Sequence, residues 1–219
     1  RELPVFVALA VVLSLAAMLL TMESTVLPFV LLANIGIAVV YNFGTNIFLG
    51  EISYITKAIA AVLQLGVTMD YSVFLYRRYE EERKNYDDER DAMEQAIVAA
   101  FRSLSGSSLT TVAGFAALCF MRLTLGRDIG IVMMKGVILG VVTVILVLPS
   151  LILLADKQIA KHKHKNLLPD FTGLNRFIVK HRVVIAIIAL ILAPPALYAQ
   201  SHASVYYKLD DSLPRDLPS

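Results

Sequence analysis

The stretch LQLGVTMDYSVFLYRRYEEERK, residues 63–84, decides the fold because it is membrane-type sequence with a single interruption. It is largely apolar up to Asp70, which is followed directly by Tyr71, and it then becomes apolar again before ending in dense charge. A carboxylate at the centre of a spanning helix costs about 2.5 to 3.5 kcal/mol on insertion scales. Holding helices together does not require so unfavourable a group, so the stretch indicates a membrane helix with a further role.

The apolar residues of the whole chain lie in long blocks. Hydrophobic residues make up 57% of the 219 positions, and the mean hydropathy is +0.68, which is too apolar for an ordinary soluble domain. A spanning helix needs roughly 20 apolar residues, and a bilayer requires its backbone groups to be paired within the segment. The sequence therefore predicts an all-α fold, a polytopic membrane helix bundle. Six blocks are long enough to span: 3–22, 26–49, 52–76, 103–121, 129–155 and 183–199.

Lysine and arginine are concentrated in two connecting segments. One follows the third span and the other follows the fifth span, and cytoplasmic loops carry such an excess. Both segments are therefore predicted to be cytoplasmic, which places the short connections at residues 50–51 and 122–128 on the outer side of the membrane. The same topology puts the turn at Glu23 and Ser24 inside, although that turn holds no basic residue.

Two cytoplasmic elements are predicted from local pattern. Asp87 or Asp88 can cap an amphipathic helix over about residues 87–102, which we expect to lie along the inner leaflet. Residues 157–180 contain proline, glycine and many charges, and are predicted to be a cytoplasmic linker. This linker would join the first five spans, residues 1–156, to a last span at 181–201. Pro149 predicts a kink in the fifth span.

Cofactor and metal sites are not predicted. Cys119 is the only cysteine, so neither an intrachain disulfide nor a cysteine metal cluster can form. His162 and His164 belong to the run KHKHK, which is typical of a solvated basic segment near anionic lipid headgroups. An intramembrane aspartyl protease would need two aspartates within the spans, and only Asp70 lies in one.

Small and polar residues recur at helical spacing on three spans. In the third span Gly66 lies one turn before Asp70, so another backbone can approach the carboxylate there, and Lys57, Gln64, Thr68 and Tyr71 form an adjoining polar stripe. Small residues at such spacing are typical of helix packing in membranes. The predicted packing residues are Gly106, Thr110 and Gly114 in the fourth span, and Gly136 and Gly140 in the fifth.

The sequence leaves two roles open for Asp70. It can be a structural partner that pairs with Lys135 or Tyr71, or it can be a proton or cation site, because burial of a carboxyl group favours its neutral form. Lys135 is equally ambiguous, since its long stem could instead reach the outer surface. Its position nearer the outer end of its helix argues mildly against direct contact with Asp70.

Three strings carry a resemblance to a known family: LQLGVTMDYSVFLYRRYEEER, AMEQAIVAAFRSLSGSSLTTVAGFAALCFM and GRDIGIVMMKGVILGVVTVILVLPSLIL. They closely resemble the first membrane half of the MMPL (mycobacterial membrane protein large) family, which belongs to the resistance-nodulation-division (RND) transporter superfamily. The form here resembles the predicted exporters of Gram-positive bacteria. The resemblance implies an RND-type transmembrane half with an interfacial cytoplasmic helix, in which the six spans are transmembrane helices two to seven. Residues 202–219 would begin the second extracytoplasmic domain.

The resemblance also implies a function. By it, the chain belongs to a secondary active transporter in the bacterial plasma membrane, not an enzyme, which uses protons as coupling ion and no cofactor to export a lipid or other hydrophobic substrate. Asp70 and Tyr71 match the family's proton-relay pair and Gly66 its preceding glycine, while Gln64, Thr68 and Lys135 are expected to support the relay. The implied partners are the lipid bilayer, the substrate and a remaining half with a second Asp-Tyr pair, but not nucleic acid. A homo-oligomer stays open.

Two alternatives share the same bundle architecture. One is a sterol-sensing type of regulatory membrane domain, and the other is a proton-driven accessory of protein export. Loss of activity on Asp70→Asn would favour a pump over a sensor, and a second GxxxDY motif on a later span would decide the class.

Overall fold

The computed structural model describes residues 3–163 and 172–202, and its regular elements in those ranges are helices. This confirms the predicted all-α class, and four of the helices are long and apolar enough to cross a membrane. The α-helices are α1 (Leu3–Thr21), α2 (Leu27–Gly44), α3 (Tyr54–Glu82), α4 (Glu89–Leu118), α5 (Thr124–Leu146), α6 (Leu148–Lys161), α7 (Thr172–Lys180) and α8 (Arg182–His202), and a short 3-10 helix, Thr45–Phe48, follows α2.

The chain divides into two compact units, residues 1–168 and residues 169–219. In the first unit α3 and α5 are central, because α3 packs against α2, α4 and α5, and α5 also packs against α2 and α4. Fully buried side chains such as Leu31, Leu75 and Met133 fill the spaces between these helices. The described part of the second unit consists of α7 and α8.

α4 differs from the sequence-based expectation. The interfacial helix predicted over about residues 87–102 and the span predicted over residues 103–121 form one continuous helix of 30 residues. Asp88 caps its start by accepting a hydrogen bond from the Arg90 backbone N–H at 2.9 Å, and no proline interrupts the sequence that follows. The side chains that its first half buries in the bundle are Ala92, Met93, Ala96 and Ala100. The interfacial placement of that half stays a prediction.

The fifth predicted span is divided into two helices. α5 ends at Leu146 and α6 begins at Leu148, with Val147 between them. Pro149 has no backbone N–H to donate to the carbonyl four residues earlier, so the helical ladder is interrupted at the position where the sequence predicts a kink.

One end of the first unit, which we call the inner end, brings together the turn between α1 and α2, the end of α3 and the second half of α6. The Ser24 hydroxyl in the turn between α1 and α2 donates to the Ile159 carbonyl at 3.1 Å, and an isolated β-bridge joins Ser24 to Lys163. The Tyr79 hydroxyl near the end of α3 donates to Asp156 Oδ1 of α6 at 2.9 Å. The turn that lacks basic residues therefore lies beside the end of α6, where the lysines begin.

The predicted linker over residues 157–180 is helical at both of its described ends. α6 continues to Lys161, and α7 covers Thr172–Lys180, where Leu174, Phe177 and Ile178 recur at helical spacing. Residues 164–171 lie outside the described ranges. The predicted start of an extracytoplasmic domain at 202–219 also lies outside them, apart from His202.

The shared inner end generates a topology prediction. In a Cys119→Ala background, single cysteines at Glu23 and Asn85 should be protected from a membrane-impermeant thiol reagent added outside, because the positive-inside rule places the inner end in the cytoplasm. A cysteine at Glu51, an exposed position at the opposite end, should react. Labelling of intact cells followed by gel-shift detection measures this, and reaction at Glu23 but not at Glu51 would contradict the orientation.

Candidate functional site

The side chain of Asp70 projects from the exposed face of α3. With 3.6 residues per turn, Gly66 lies on the same face, one turn earlier, whereas Thr68 points to the opposite side of the helix. The burial pattern agrees, because Gly66 and Asp70 are exposed and Thr68 is fully buried. Asp70 forms no ion pair with any residue that the structure describes. The carboxylate is thus available to a group outside the first unit's packed core.

Tyr71 turns the other way from its neighbour. It is only 6% exposed and belongs to the main hydrophobic cluster of the first unit. Around the helix it lies between Asp70 and Thr68, since each residue advances by about 100°. The predicted relay pair is therefore divided between two environments, one side chain directed outward and the other packed inside.

A row of polar side chains is buried between α2, α3 and α5, and we call it the polar seam. Asn42 of α2 donates from Nδ2 to Gln64 Oε1 of α3 at 2.7 Å, and Gln64 Nε2 donates to the Ala38 carbonyl at 3.1 Å. Asn34 Nδ2 donates to the Ser72 hydroxyl at 3.4 Å further towards the inner end. The seam consists of Asn34, Asn42, Asn46, Gln64, Thr68, Ser72 and Lys135.

Lys135 is part of the seam and does not pair with Asp70. Its ammonium group donates to the Asn42 carbonyl at 2.9 Å and to the Asn46 side-chain oxygen, both near the end of α2. The neighbouring Gly136 lies level with Gln64, which is six residues before Asp70, or roughly 9 Å along α3 at 1.5 Å per residue. The two charges therefore differ both in depth and in direction. The structure does not form the ion pair between Asp70 and Lys135 that the sequence left open.

The glycines of α5 allow the three helices to approach. A Cβ at Gly136 would lie 2.6 Å from Asn42 Nδ2 and 3.3 Å from Gln64 Oε1, and a Cβ at Gly140 would lie 2.8 Å from Thr68 Oγ1. Any larger residue would therefore press on the seam. The seam and these two glycines form one closely packed contact.

The small residues of α3 and α4, unlike the glycines of α5, lie on open faces of their helices. Gly66, Gly106 and Gly114 are exposed, and among the described residues nothing beyond the adjoining residues and backbone of their own helix lies within 4 Å of where their Cβ atoms would be. Thr110 is exposed too, and its hydroxyl donates to the Ser107 carbonyl of its own helix at 2.8 Å. Gly66 and Asp70 thus stand on an open face, and so do the three small residues of α4.

Sequence reasoning missed four of the seven seam residues. Asn34, Asn42, Asn46 and Ser72 were not predicted to matter, yet the three asparagines lie four or eight residues apart in a strongly apolar segment. Amide groups are unfavourable in a membrane unless they are hydrogen-bonded, so their regular spacing was a usable signal. Among the described residues no group of three or more His, Cys, Asp or Glu side chains is placed to hold a metal ion.

Fold and site together define a multi-pass membrane helix bundle with a carboxylate in the middle of one spanning helix. The profile of the MMPL family matches residues 1–191, so the chain belongs to the MMPL family.

Several curated relatives agree with this membership. The chain is 29% identical to the membrane protein ActII-3 of Streptomyces coelicolor over 58% of this chain and 18% of the relative. It is 31% identical to the membrane protein MJ1562 of Methanocaldococcus jannaschii over 62% of this chain and 34% of the relative. It is 23% identical to the siderophore exporter MmpL5 of Mycobacterium tuberculosis over 100% of this chain and 23% of the relative. The matches thus cover between 18% and 34% of the lengths of these relatives.

The close contact at α5 gives a stability prediction. Gly136→Ala should lower the melting temperature of the detergent-solubilised protein, because the added methyl group displaces Asn42 and breaks its hydrogen bond to Gln64, at a cost of about 1 to 3 kcal/mol. Gly36→Ala is the matched control, since the same change on an open face of α2 meets no described atom within 4 Å and should leave the melting temperature unchanged or raise it. Equal melting temperatures for both variants would mean that the contact is not tight.

Proposed function

We propose that this chain supplies transmembrane helices two to seven of a proton-driven exporter of the RND superfamily, in which Asp70 carries the proton. The exporter moves a lipid or another hydrophobic substrate out of the cell across the bacterial plasma membrane. Membership of the MMPL family supports this class, and the name of the mycobacterial relative supports export as the activity. The siderophore in that name belongs to the relative and is not carried over to this chain.

The observation that carries the proposal is the position of Asp70. Its side chain is exposed on a spanning helix, and it has no counter-ion among the described residues. A charged carboxylate facing hydrocarbon is strongly unfavourable, so the group either takes up a proton or meets protein and water from another part of the molecule. A carboxyl group that alternates between these two conditions binds and releases a proton.

The neighbours of Asp70 support such an exchange. Gly66 leaves room for another backbone to approach the carboxyl group, and we assign this place to the remaining half of the same protein, which would bring a second Asp-Tyr pair. Tyr71 is the adjacent group that can both donate and accept a hydrogen bond. Each proton charge that crosses 100 mV contributes roughly 2.3 kcal/mol, which is the energy available to drive the substrate. In this proposal the chain contributes to secondary transport and performs no enzymatic reaction.

The proposal predicts the behaviour of substitutions at Asp70. In the complete protein, Asp70→Asn should reduce transport by at least about tenfold, because the amide cannot take up and release a proton, and tenfold corresponds to ~1.4 kcal/mol in a rate. Folding and expression should be near normal, since the side chain is exposed. Tyr71→Phe, which keeps the buried ring and removes only the hydroxyl, should reduce transport as well.

Proteoliposomes with an imposed proton gradient, a dye for internal pH and a labelled lipid substrate measure both proton movement and export. Glu51→Gln is the matched control, because the same chemical change at an exposed position between the 3-10 helix and α3 should leave both rates unchanged. Full transport by Asp70→Asn would rule out Asp70 as the proton carrier.

A further inference from the structure

The polar seam and the start of α3 contain buried polar atoms without partners. Each belongs to a side chain that is at most 7% exposed, and none has a hydrogen-bond partner among the described residues. Buried polar side-chain atoms are paired in the great majority of native proteins, so a group of five calls for a physical explanation. The five atoms are Asn34 Oδ1, Asn42 Oδ1, Asn46 Nδ2, Thr56 Oγ1 and Thr68 Oγ1.

A further protein segment packed on the outside of the bundle would not supply the missing bonds. Thr56, Thr68, Asn34 and Asn42 have no measurable exposure, so such a segment would not reach them. A dry seam would leave each atom with the full desolvation penalty, which a bilayer does not relieve because it offers no hydrogen-bond partners. Water molecules that enter the seam and the start of α3 can provide donors and acceptors for all five, since each buried water typically makes about three hydrogen bonds.

The outer end of the first unit offers a route for water. A cleft of about 430 Å³ is lined by Asn46 and Lys57, together with apolar side chains. Because a water molecule occupies about 30 Å³ in the liquid, the cleft has room for on the order of ten. Asn46 lines the cleft and also accepts a hydrogen bond from Lys135 in the seam. The remaining lining residues are Phe43, Ile47, Gly50 and Ile52.

We propose that the polar seam is a water-binding path that leads from this outer cleft to the level of Tyr71. Asn46 stands at its outer opening, Thr56 and Asn42 lie along it, and Thr68 and Asn34 hold its inner part. A chain of bound water molecules passes protons by exchange of hydrogen bonds, so the path would deliver external protons to the seam side of Tyr71, the residue between Thr68 and Asp70 around α3. The use of these protons rests on the proposed transport function, whereas the binding of water does not.

Isosteric replacement of the threonines separates a wet seam from a dry one. In the complete protein, Thr56→Val and Thr68→Val should lower the melting temperature if the hydroxyl groups bind water, because each change removes hydrogen bonds and expels the water. In a dry seam the same changes remove an unpartnered polar atom and should raise the melting temperature. Thr143→Val is the matched control, since the Thr143 hydroxyl is buried at the same contact but donates to the Gly140 carbonyl at 2.9 Å. Thr143→Val should lower the melting temperature in either case, and a rise for both test variants above the unsubstituted protein would overturn the proposal.

Thiol accessibility tests the same path in the membrane. In the complete protein with its other cysteines replaced, Thr56→Cys and Thr68→Cys should react with a small hydrophilic thiol reagent added outside, at rates that fall with depth. Met133→Cys is the control, because Met133 is fully buried in an apolar cluster with Ala60 and Val132, and it should stay unreacted. Absence of reaction at both test positions would overturn the path.

The two proposals fail in distinguishable ways. If Thr56→Cys and Thr68→Cys react and Asp70→Asn retains full transport, the water path exists and the proton relay does not. If Asp70→Asn abolishes transport while the test cysteines stay unreacted and both valine variants raise the melting temperature, the relay is supported and protons reach it by another route. If both proposals hold, Thr68→Val should also slow proton-driven transport severalfold, and Thr143→Val should not.

Discussion

The hydrogen bond between Asn42 and Gln64 is the contact on which the arrangement of α2, α3 and α5 depends. In a bilayer, apolar side chains gain little by leaving lipid for another helix, so close packing and hydrogen bonds determine which faces meet. The two amides are at most 1% exposed, and together they bond to one another and to backbone carbonyls of α2 and α5. Only glycine at position 136 leaves space for the pair. Depth and rotation of all three helices follow from this contact.

This arrangement gives α3 two different sides. Because Gln64, Thr68 and Ser72 face α2 and α5, Asp70 is turned to the opposite side of the helix and is exposed. The same rotation directs Tyr71 inward. If α3 were rotated by one residue, or about 100°, Tyr71 would take the exposed direction that Asp70 has now. The contact at Gln64 therefore determines which of the two side chains is exposed.

The helices themselves could be predicted because the bilayer imposes a length and requires paired backbone groups. The break before Pro149 and the cap at Asp88 also followed from local chemistry. The continuity of α4 could not be derived, because a polar amphipathic segment followed by an apolar one does not state whether the helix stops between them. Arg102 and Ser103 occupy that junction, and neither residue ends a helix.

Which side of each helix packs on its neighbours was harder to predict than where the helix lies in the sequence. Gly66 and Gly136 are the same residue type in similar apolar sequence, yet one is exposed and the other touches two buried amides. Lipid and protein interior are both apolar, so hydrophobic periodicity in a membrane helix does not distinguish the two sides as it does in water. Polar residues carry that information instead. The asparagines of α2 are the strongest such signal in this sequence.

The separation of Lys135 from Asp70 bears directly on how the carboxylate is neutralised. Lys135 holds its ammonium group against the carbonyl of Asn42, near the end of α2, where the helix dipole also favours a positive charge. It is therefore bound by oxygen atoms that carry no net charge, and Asp70 is left without a cation among the described residues. A permanent ion pair between the two would have made the carboxylate a fixed structural element. Without that pair, the carboxylate is left to the exchange of a proton that the proposed transport function requires of it.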